Sequence, residues 1–243
     1  MAPEHDESEK LTTKITAKLF APMYADFHRQ LTAAFLYRDA FLDQMIAGEI
    51  EHLRNDLAGK KLSPAAHRYI SRCLKKMGDK SLLLQPVSIV VAKETAAALR
   101  SVVEDHNLVR DAFLNWLIAL LRSSDKLLDW LDLPTSVNQR NFHGLLTQDM
   151  PTSPMRAIAE IQGDPLYYLR EACQARHGCG LYALCPPKLM HGFCCYLPDD
   201  DVPDTPANKE KRLHEEAFLR DNLDTFESTA LAIADAPQGA DHA

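Results

Sequence analysis

The sequence predicts a mainly α-helical protein with a short β ribbon, built from a duplicated strand-helix-helix unit and followed by a small α+β region. The segments LYRDAFLDQMI and LVRDAFLNWLI, residues 36–46 and 108–118, are nearly identical and lie 72 positions apart. A short run with alternating apolar residues precedes each copy, and apolar residues at helical spacing surround it. Self-similarity at a fixed offset is typical of chains built from repeated supersecondary units.

Each copy opens with a predicted strand. Alternate apolar residues of the first run align, at the offset of 72, with those of the second: Ile15, Ala17 and Leu19 with Val87, Ile89 and Val91. This alternation predicts a strand with one buried face. Because an isolated strand leaves its backbone donors and acceptors without partners, we expect the two strands to pair antiparallel, within one chain or between two.

Two helices are predicted after each strand. Pro22 is typical of a first helical turn and begins residues 22–34, while residues 94–105 are rich in Ala and Leu. Asp39 and Asp111 stand at the expected N-caps of the second helices. Between the helices, Asn107 can adopt a left-handed conformation, whereas Phe35 would do so only at a cost.

A basic helix is predicted between the two copies, from Ser63 and Pro64 to Lys76. Its basic side chains, with two that precede it, are Lys60, Lys61, Arg68, Arg72, Lys75 and Lys76. Such a run is typical of a solvated helix face. Beside a DNA-binding ribbon, the same charges would contact phosphates, with Lys75 and Lys76 as the residues expected to do so.

Charge is divided unevenly along the chain, whose net charge is −7. From Lys10 to Lys80 there are 13 Lys and Arg against 7 Asp and Glu, and from Ser123 to the end there are 10 against 19. The basic front is compatible with a polyanion. The acidic back is compatible with a basic protein partner or with solubility alone.

The duplicated strand-helix-helix order resembles the ribbon-helix-helix family of DNA-binding proteins, in a tandem form with two copies in one chain. The copies span about 12–57 and 85–124, within a pseudo-dimeric unit of 12–133. The resemblance implies a ribbon in the major groove of double-stranded DNA. It implies a sequence-specific regulator of transcription, antitoxin-like or accessory to plasmid transfer. The residues implied in DNA binding are Lys14, Thr16, Lys18 and Ser88 on the strands and Arg38 and Arg110 near phosphates.

A non-enzymatic scaffold is the alternative function. In that case the duplicated helices would mediate homo-oligomerisation, and the C-terminal region would bind a protein partner. The short strands would then serve folding or dimerisation.

A second, acidic α+β region is predicted over 153–232. One helix begins at Ser153 and another runs from Asp164 to about Arg176, ended by Gly178 and Gly180. The runs LYALC and GFCCYL predict two short strands, and a last helix is expected over 209–232. Residues 1–11 and 236–243 are predicted to be disordered.

The second region also contains a group of candidate metal ligands within 23 residues: Cys173, His177, Cys179, Cys185, His191, Cys194 and Cys195. Thiolate and imidazole are the ligands that zinc prefers, so a zinc site is possible. However, the group lacks a CxxC pair, and cysteine is also a common small core residue. The sequence therefore favours buried or incidental thiols, with no metal and no other cofactor.

Motifs of common enzyme classes are missing from the sequence. It has no phosphate-binding glycine loop, no HExxH helix and no GxSxG elbow, so we do not expect an enzyme. The longest apolar run, Trp116 to Leu121, is too short to span a bilayer, and MAPEHDESEK does not resemble a secretory signal. We therefore expect a cytoplasmic protein that does not act in a membrane, with free thiols.

Overall fold

The structure is a computed structural model that describes residues 11–79, 83–133, 163–203, 205, 208–210 and 214. Its elements are β1 (Thr12–Phe20), α1 (Ala21–Ala33), α2 (Arg38–Asp56), α3 (Pro64–Asp79), β2 (Leu84–Ala92), α4 (Lys93–His106), α5 (Arg110–Arg122), α6 (Asp125–Trp130), α7 (Tyr167–His177) and two 3₁₀ helices, Lys188–Phe193 and Asp199–Asp201. Contacts divide the chain into two units, Met1–Pro198 and Asp199–Ala243. In the second unit, the Asn208 amide donates hydrogen bonds to the carbonyls of Asp199, Asp200 and Val202.

The two strands pair antiparallel within one chain, which confirms the predicted pairing. Thr16 lies opposite Ser88, and these two residues are also 72 positions apart. The ribbon therefore has a local two-fold axis at this pair, because the pairing register and the sequence offset coincide there. The hydrogen bonds at the two ends of the ribbon are also related by the offset of 72. Ala21 N donates to Leu83 O at 2.6 Å, and Lys93 N donates to Leu11 O at 2.9 Å.

The first helix of each copy ends in the same way. Phe35 after α1 and Asn107 after α4 have φ values of 58° and 54°. Leu36 N donates to Leu31 O, and Leu108 donates in the matching way to Val103 O, which closes a left-handed helix end in both copies. The prediction for Asn107 is confirmed, and Phe35 adopts the same conformation despite its cost.

The predicted N-caps of the second helices are wrong by two residues. α2 and α5 begin at Arg38 and Arg110, so the caps are Tyr37 and Val109, and neither cap side chain makes a capping hydrogen bond. The two aspartates, Asp39 and Asp111, lie in the first turn instead. A carboxylate is favourable there because it faces the positive end of the helix dipole.

The helix predicted between the two copies forms as α3. The helix predicted from Asp164 in the C-terminal region after residue 153, here called the back region, forms as α7. Ser63 Oγ accepts a hydrogen bond from Ala66 N at 3.0 Å at the start of α3. α7 ends at Gly178, whose φ of 65° is the left-handed conformation that glycine adopts without strain.

α5 is the centre of the core. Every residue from Ala112 to Leu120 is buried, which is typical of a helix covered on all sides. The back region supplies part of that cover, and the Trp116 indole donates to Leu181 O at 3.1 Å. Residues 163–198 therefore belong to the same unit as β1 to α6.

The strands predicted in the back region do not form. Residues 181–183 form a turn and 188–193 a 3₁₀ helix, so within the described ranges β1 and β2 are the only strands. Backbone groups here bind side chains of the front elements: Tyr182 N donates to Asp56 Oδ2 at 3.0 Å. Pro186 and Pro187 also lack the N–H that a ladder needs. This part of the region is therefore not α+β.

Several predictions fall outside the described residues. These are the helix beginning at Ser153, nearly all of the last helix over 209–232, and, apart from Leu11, the two terminal segments predicted to be disordered.

Candidate nucleic-acid interface

One face of the ribbon is polar and exposed. Lys14, Thr16 and Lys18 are exposed on β1, and Ser88 is exposed opposite them on β2. Thr16 Oγ1 lies 3.3 Å from Ser88 Oγ, so hydroxyls meet at the two-fold axis. The opposite face is largely buried, with Leu19 fully so, which confirms the predicted alternation.

A basic groove with a volume of about 870 Å³ lies beside this face. Its charged lining residues come from four elements: Lys14 and Lys18 of β1, Lys75 of α3, Arg100 and Glu104 of α4, and Arg110 and Asp111 of α5. Five Lys and Arg against two acids leave a local excess of +3. The fold thus brings together four of the predicted DNA-binding residues, which are distant in sequence.

Arg100 was missed by the sequence analysis. It is exposed on α4 and lines the basic groove. The copy-one position at the offset of 72 is His28, so the repeat gave no matching basic residue that could have marked it.

Lys76 lies on a different surface from Lys75. It lines a second groove of about 540 Å³, here called the apolar groove, together with Phe20, Trp130 and Leu189. The two lysines therefore do not share one role, although both are exposed.

The two predicted phosphate contacts, Arg38 and Arg110, make bonds inside the chain. Arg38 Nη2 donates to Ser88 O at 3.1 Å, and Arg110 Nη2 donates to Thr16 O at 2.6 Å. Each guanidinium also binds the aspartate that follows it in sequence. Both arginines thus join the second helix of one copy to the strand of the other, and a phosphate contact stays a prediction.

Two polar residues fasten the ribbon ends to the helices below. Asn115 of α5 accepts from Phe20 N and donates to Lys18 O, both at 2.8 Å. Asp43 of α2, 72 positions earlier, accepts from Ala92 N at 3.0 Å. Neither residue was predicted from the sequence. A polar residue at the same position of both second helices, 72 positions apart and among apolar residues, could have indicated them.

The candidate metal ligands separate into distinct places. Cys185, His191 and Cys194 lie together, with one ligand atom from each within 4.8 Å of the others. His177 Nε2 instead donates to Leu131 O at 2.8 Å. Cys173 is buried beside Cys179. The pKa of Cys173 is raised to about 12, mainly by burial and to a smaller extent by Cys179.

Cys194 and its neighbour in sequence, Cys195, are both buried. The pKa of Cys194 is raised, first by its hydrogen bond with Cys185 and then by burial. Burial also raises the pKa of Cys195, with a smaller effect from Asp56. Cys195 is not part of the group formed by Cys185, His191 and Cys194.

No family model matches the chain, and neither a curated protein nor a solved structure does. Among the described helices, none has the length and apolar character needed to cross a bilayer.

Proposed function

We propose that this chain is a sequence-specific DNA-binding regulator whose β1–β2 ribbon enters the major groove as a tandem ribbon-helix-helix unit. The observation that carries the proposal is the exposed row Lys14, Thr16 and Lys18 beside the basic groove. A ribbon of this kind is narrow enough for a major groove about 12 Å wide.

The chemistry of the outward face suits base edges. Lysine donates to guanine acceptors, and threonine contacts several bases. Copy two offers only the Ser88 hydroxyl, because Pro86 has no side-chain donor and Val90 is half-buried. The two halves of the ribbon therefore differ, and the preferred DNA site is expected to be asymmetric.

Matching contacts at positions 72 apart support the tandem arrangement. Arg38 and Arg110 bind the carbonyls of the paired residues Ser88 and Thr16. Each contact crosses from one copy to the other, as in a two-fold dimer. One chain then supplies the pseudo-dimer that such a ribbon needs.

The basic groove supplies the sequence-independent part of binding. Lys75 and Arg100 line it without belonging to the ribbon, so both can reach phosphates flanking the bases. Neutralising phosphates releases counterions, and affinity should fall steeply with salt.

The test is selection from random DNA at low salt, followed by gel shift with variants. Replacing Lys14, Thr16 and Lys18 together with Ala should abolish preference for the selected site without unfolding the protein, because these side chains bury little surface. The control is Lys126→Ala with Lys188→Ala, which removes the same charge from the apolar groove. It should keep the sequence preference.

Lys75→Ala tests the phosphate role separately. It should weaken binding to all sequences alike and lower the dependence of log affinity on log salt by about one unit, as the loss of one phosphate contact does. Lys126→Ala is its matched control.

Failure to enrich any sequence, with a folded protein, would favour the scaffold function instead. The observation that favours it is the turn after α1, where Phe35 and Tyr37 are 92% and 86% exposed. Large aromatic side chains in such positions are common at protein interfaces.

A further inference from the structure

Cys185, His191 and Cys194 are arranged with the spacing of a metal site. Cys185 Sγ lies 3.8 Å from His191 Nε2, and the three ligand atoms lie within 4.8 Å of one another. Bonds of about 2.3 Å for Zn–S and about 2.0 Å for Zn–N put the ligand atoms of a tetrahedral site roughly 3.5 to 3.8 Å apart. Small side-chain rotations therefore suffice to close these three around one ion.

The His191 ring is held in the orientation that a metal ligand needs. Tyr69 Oη lies 3.2 Å from His191 Nδ1, and the two rings meet edge to face. With Nδ1 bonded to the phenol, Nε2 is turned toward Cys185. A partner on the second nitrogen is the usual way in which proteins fix the tautomer and direction of a ligating histidine.

α3 packs on the segment that carries the ligands. A Cβ on Gly192 would lie 2.9 Å from Leu74 N, so the 3₁₀ helix Lys188–Phe193 packs directly on the α3 backbone. Tyr69, whose hydroxyl contacts His191 Nδ1, also belongs to α3, so this packing holds the ligating ring in place.

We propose that Cys185, His191 and Cys194 bind one zinc ion. Thiolate and imidazole donors select zinc over magnesium or calcium, which prefer oxygen. Zinc binding releases the thiol protons of the ligating cysteines to solvent, with no change of oxidation state. The ion would cross-link the segment 185–194 and thereby brace the cover over α5.

The test uses the full chain, kept reduced with a phosphine, loaded with zinc, desalted and submitted to elemental analysis. We expect about one zinc per chain, as for a single structural site. Cys185→Ser should weaken zinc affinity about tenfold or more in competition with a chromophoric chelator. Cys185 is exposed, so this change should not unfold the protein.

Cys179→Ser is the matched control. It makes the same chemical change at a half-buried cysteine outside the cluster and should leave zinc affinity unchanged. Tyr69→Phe should weaken zinc binding by about tenfold, because it removes the bond to His191 Nδ1 and keeps the ring.

Cobalt in place of zinc tests the ligand set. Thiolate-to-cobalt charge-transfer absorption should fall by about one half in Cys185→Ser, as two thiolate ligands become one. An unchanged spectrum would overturn the assignment of Cys185. Substoichiometric zinc after loading, or equal affinity in Cys185→Ser and the unchanged chain, would overturn the site itself, and neither result bears on DNA binding.

Discussion

At the scale of single residues, Phe35 is held in a conformation that its side chain does not favour. It has a φ of 58° and is 92% exposed, so no burial of the ring offsets the backbone cost. A left-handed conformation costs a residue with a Cβ roughly 1 to 2 kcal/mol, and asparagine tolerates it better. The equivalent position in copy two is Asn107, which also donates to Leu62 O at 2.9 Å.

Phe35→Asn should therefore raise the free energy of unfolding by about 0.5 to 1 kcal/mol. Urea denaturation measures it. Asn107→Ala is the mirror experiment and should lower stability, because it loses both the conformational preference and the bond to Leu62. A decrease in stability for Phe35→Asn would instead mean that the exposed Phe35 ring makes stabilising contacts.

At the scale of elements, the ribbon is anchored unequally at its two ends. Asn115 is fully buried and bonds to Phe20 N, Lys18 O and Asp111 O. Asp43 is its counterpart in copy one and has one such bond, to Ala92 N. The end of β1 that carries Lys18 is thus the more firmly held.

Asn115→Ala should lower the free energy of unfolding by about 2 to 4 kcal/mol, because it leaves buried backbone groups without partners at about 1 to 3 kcal/mol each. Asp43→Ala should cost less. Denaturation gives the energies, and amide exchange at Phe20, whose N–H donates to Asn115, should quicken only in the first variant. Equal losses in the two variants would contradict the unequal anchoring.

The repeat made the ribbon and its helices predictable, while the two strands predicted in the back region were wrong. The alternating apolar residues at Ile15 to Leu19 and at Val87 to Val91 predict the two strands, and the offset of 72 predicts that they pair. The runs LYALC and GFCCYL are apolar because they cover α5, and a buried loop has the same composition as a buried strand.

At the scale of the whole molecule, a buried polar cluster joins the front helices to the back region of the first unit. Arg170 of α7 donates to Glu49 Oε2 of α2 at 2.8 Å, and Tyr182 Oη donates to the same oxygen at 2.7 Å. The side chains of Glu49 and Arg170 are only 5% and 13% exposed. Burial and the Glu49 charge together raise the pKa of Tyr182 well above its ordinary value, so this phenol stays a hydrogen-bond donor.

Removing Arg170 should be costly because it leaves the Glu49 carboxylate buried without its cation. Arg170→Met should lower the free energy of unfolding by about 3 kcal/mol at neutral pH. Adding Glu49→Gln should recover much of this, since the amide oxygen still accepts from Tyr182. Arg176→Met is the matched control, because Arg176 pairs with an exposed Asp132, and such pairs contribute less than about 1 kcal/mol.

The double variant separates the two ways in which Arg170 could act. If Arg170 stabilises the fold by pairing with Glu49, the double variant Arg170→Met with Glu49→Gln should be more stable than Arg170→Met alone, because no buried carboxylate then lacks a cation. Urea denaturation of both variants measures this. No recovery in the double variant would mean that Arg170 acts by packing rather than by pairing with Glu49.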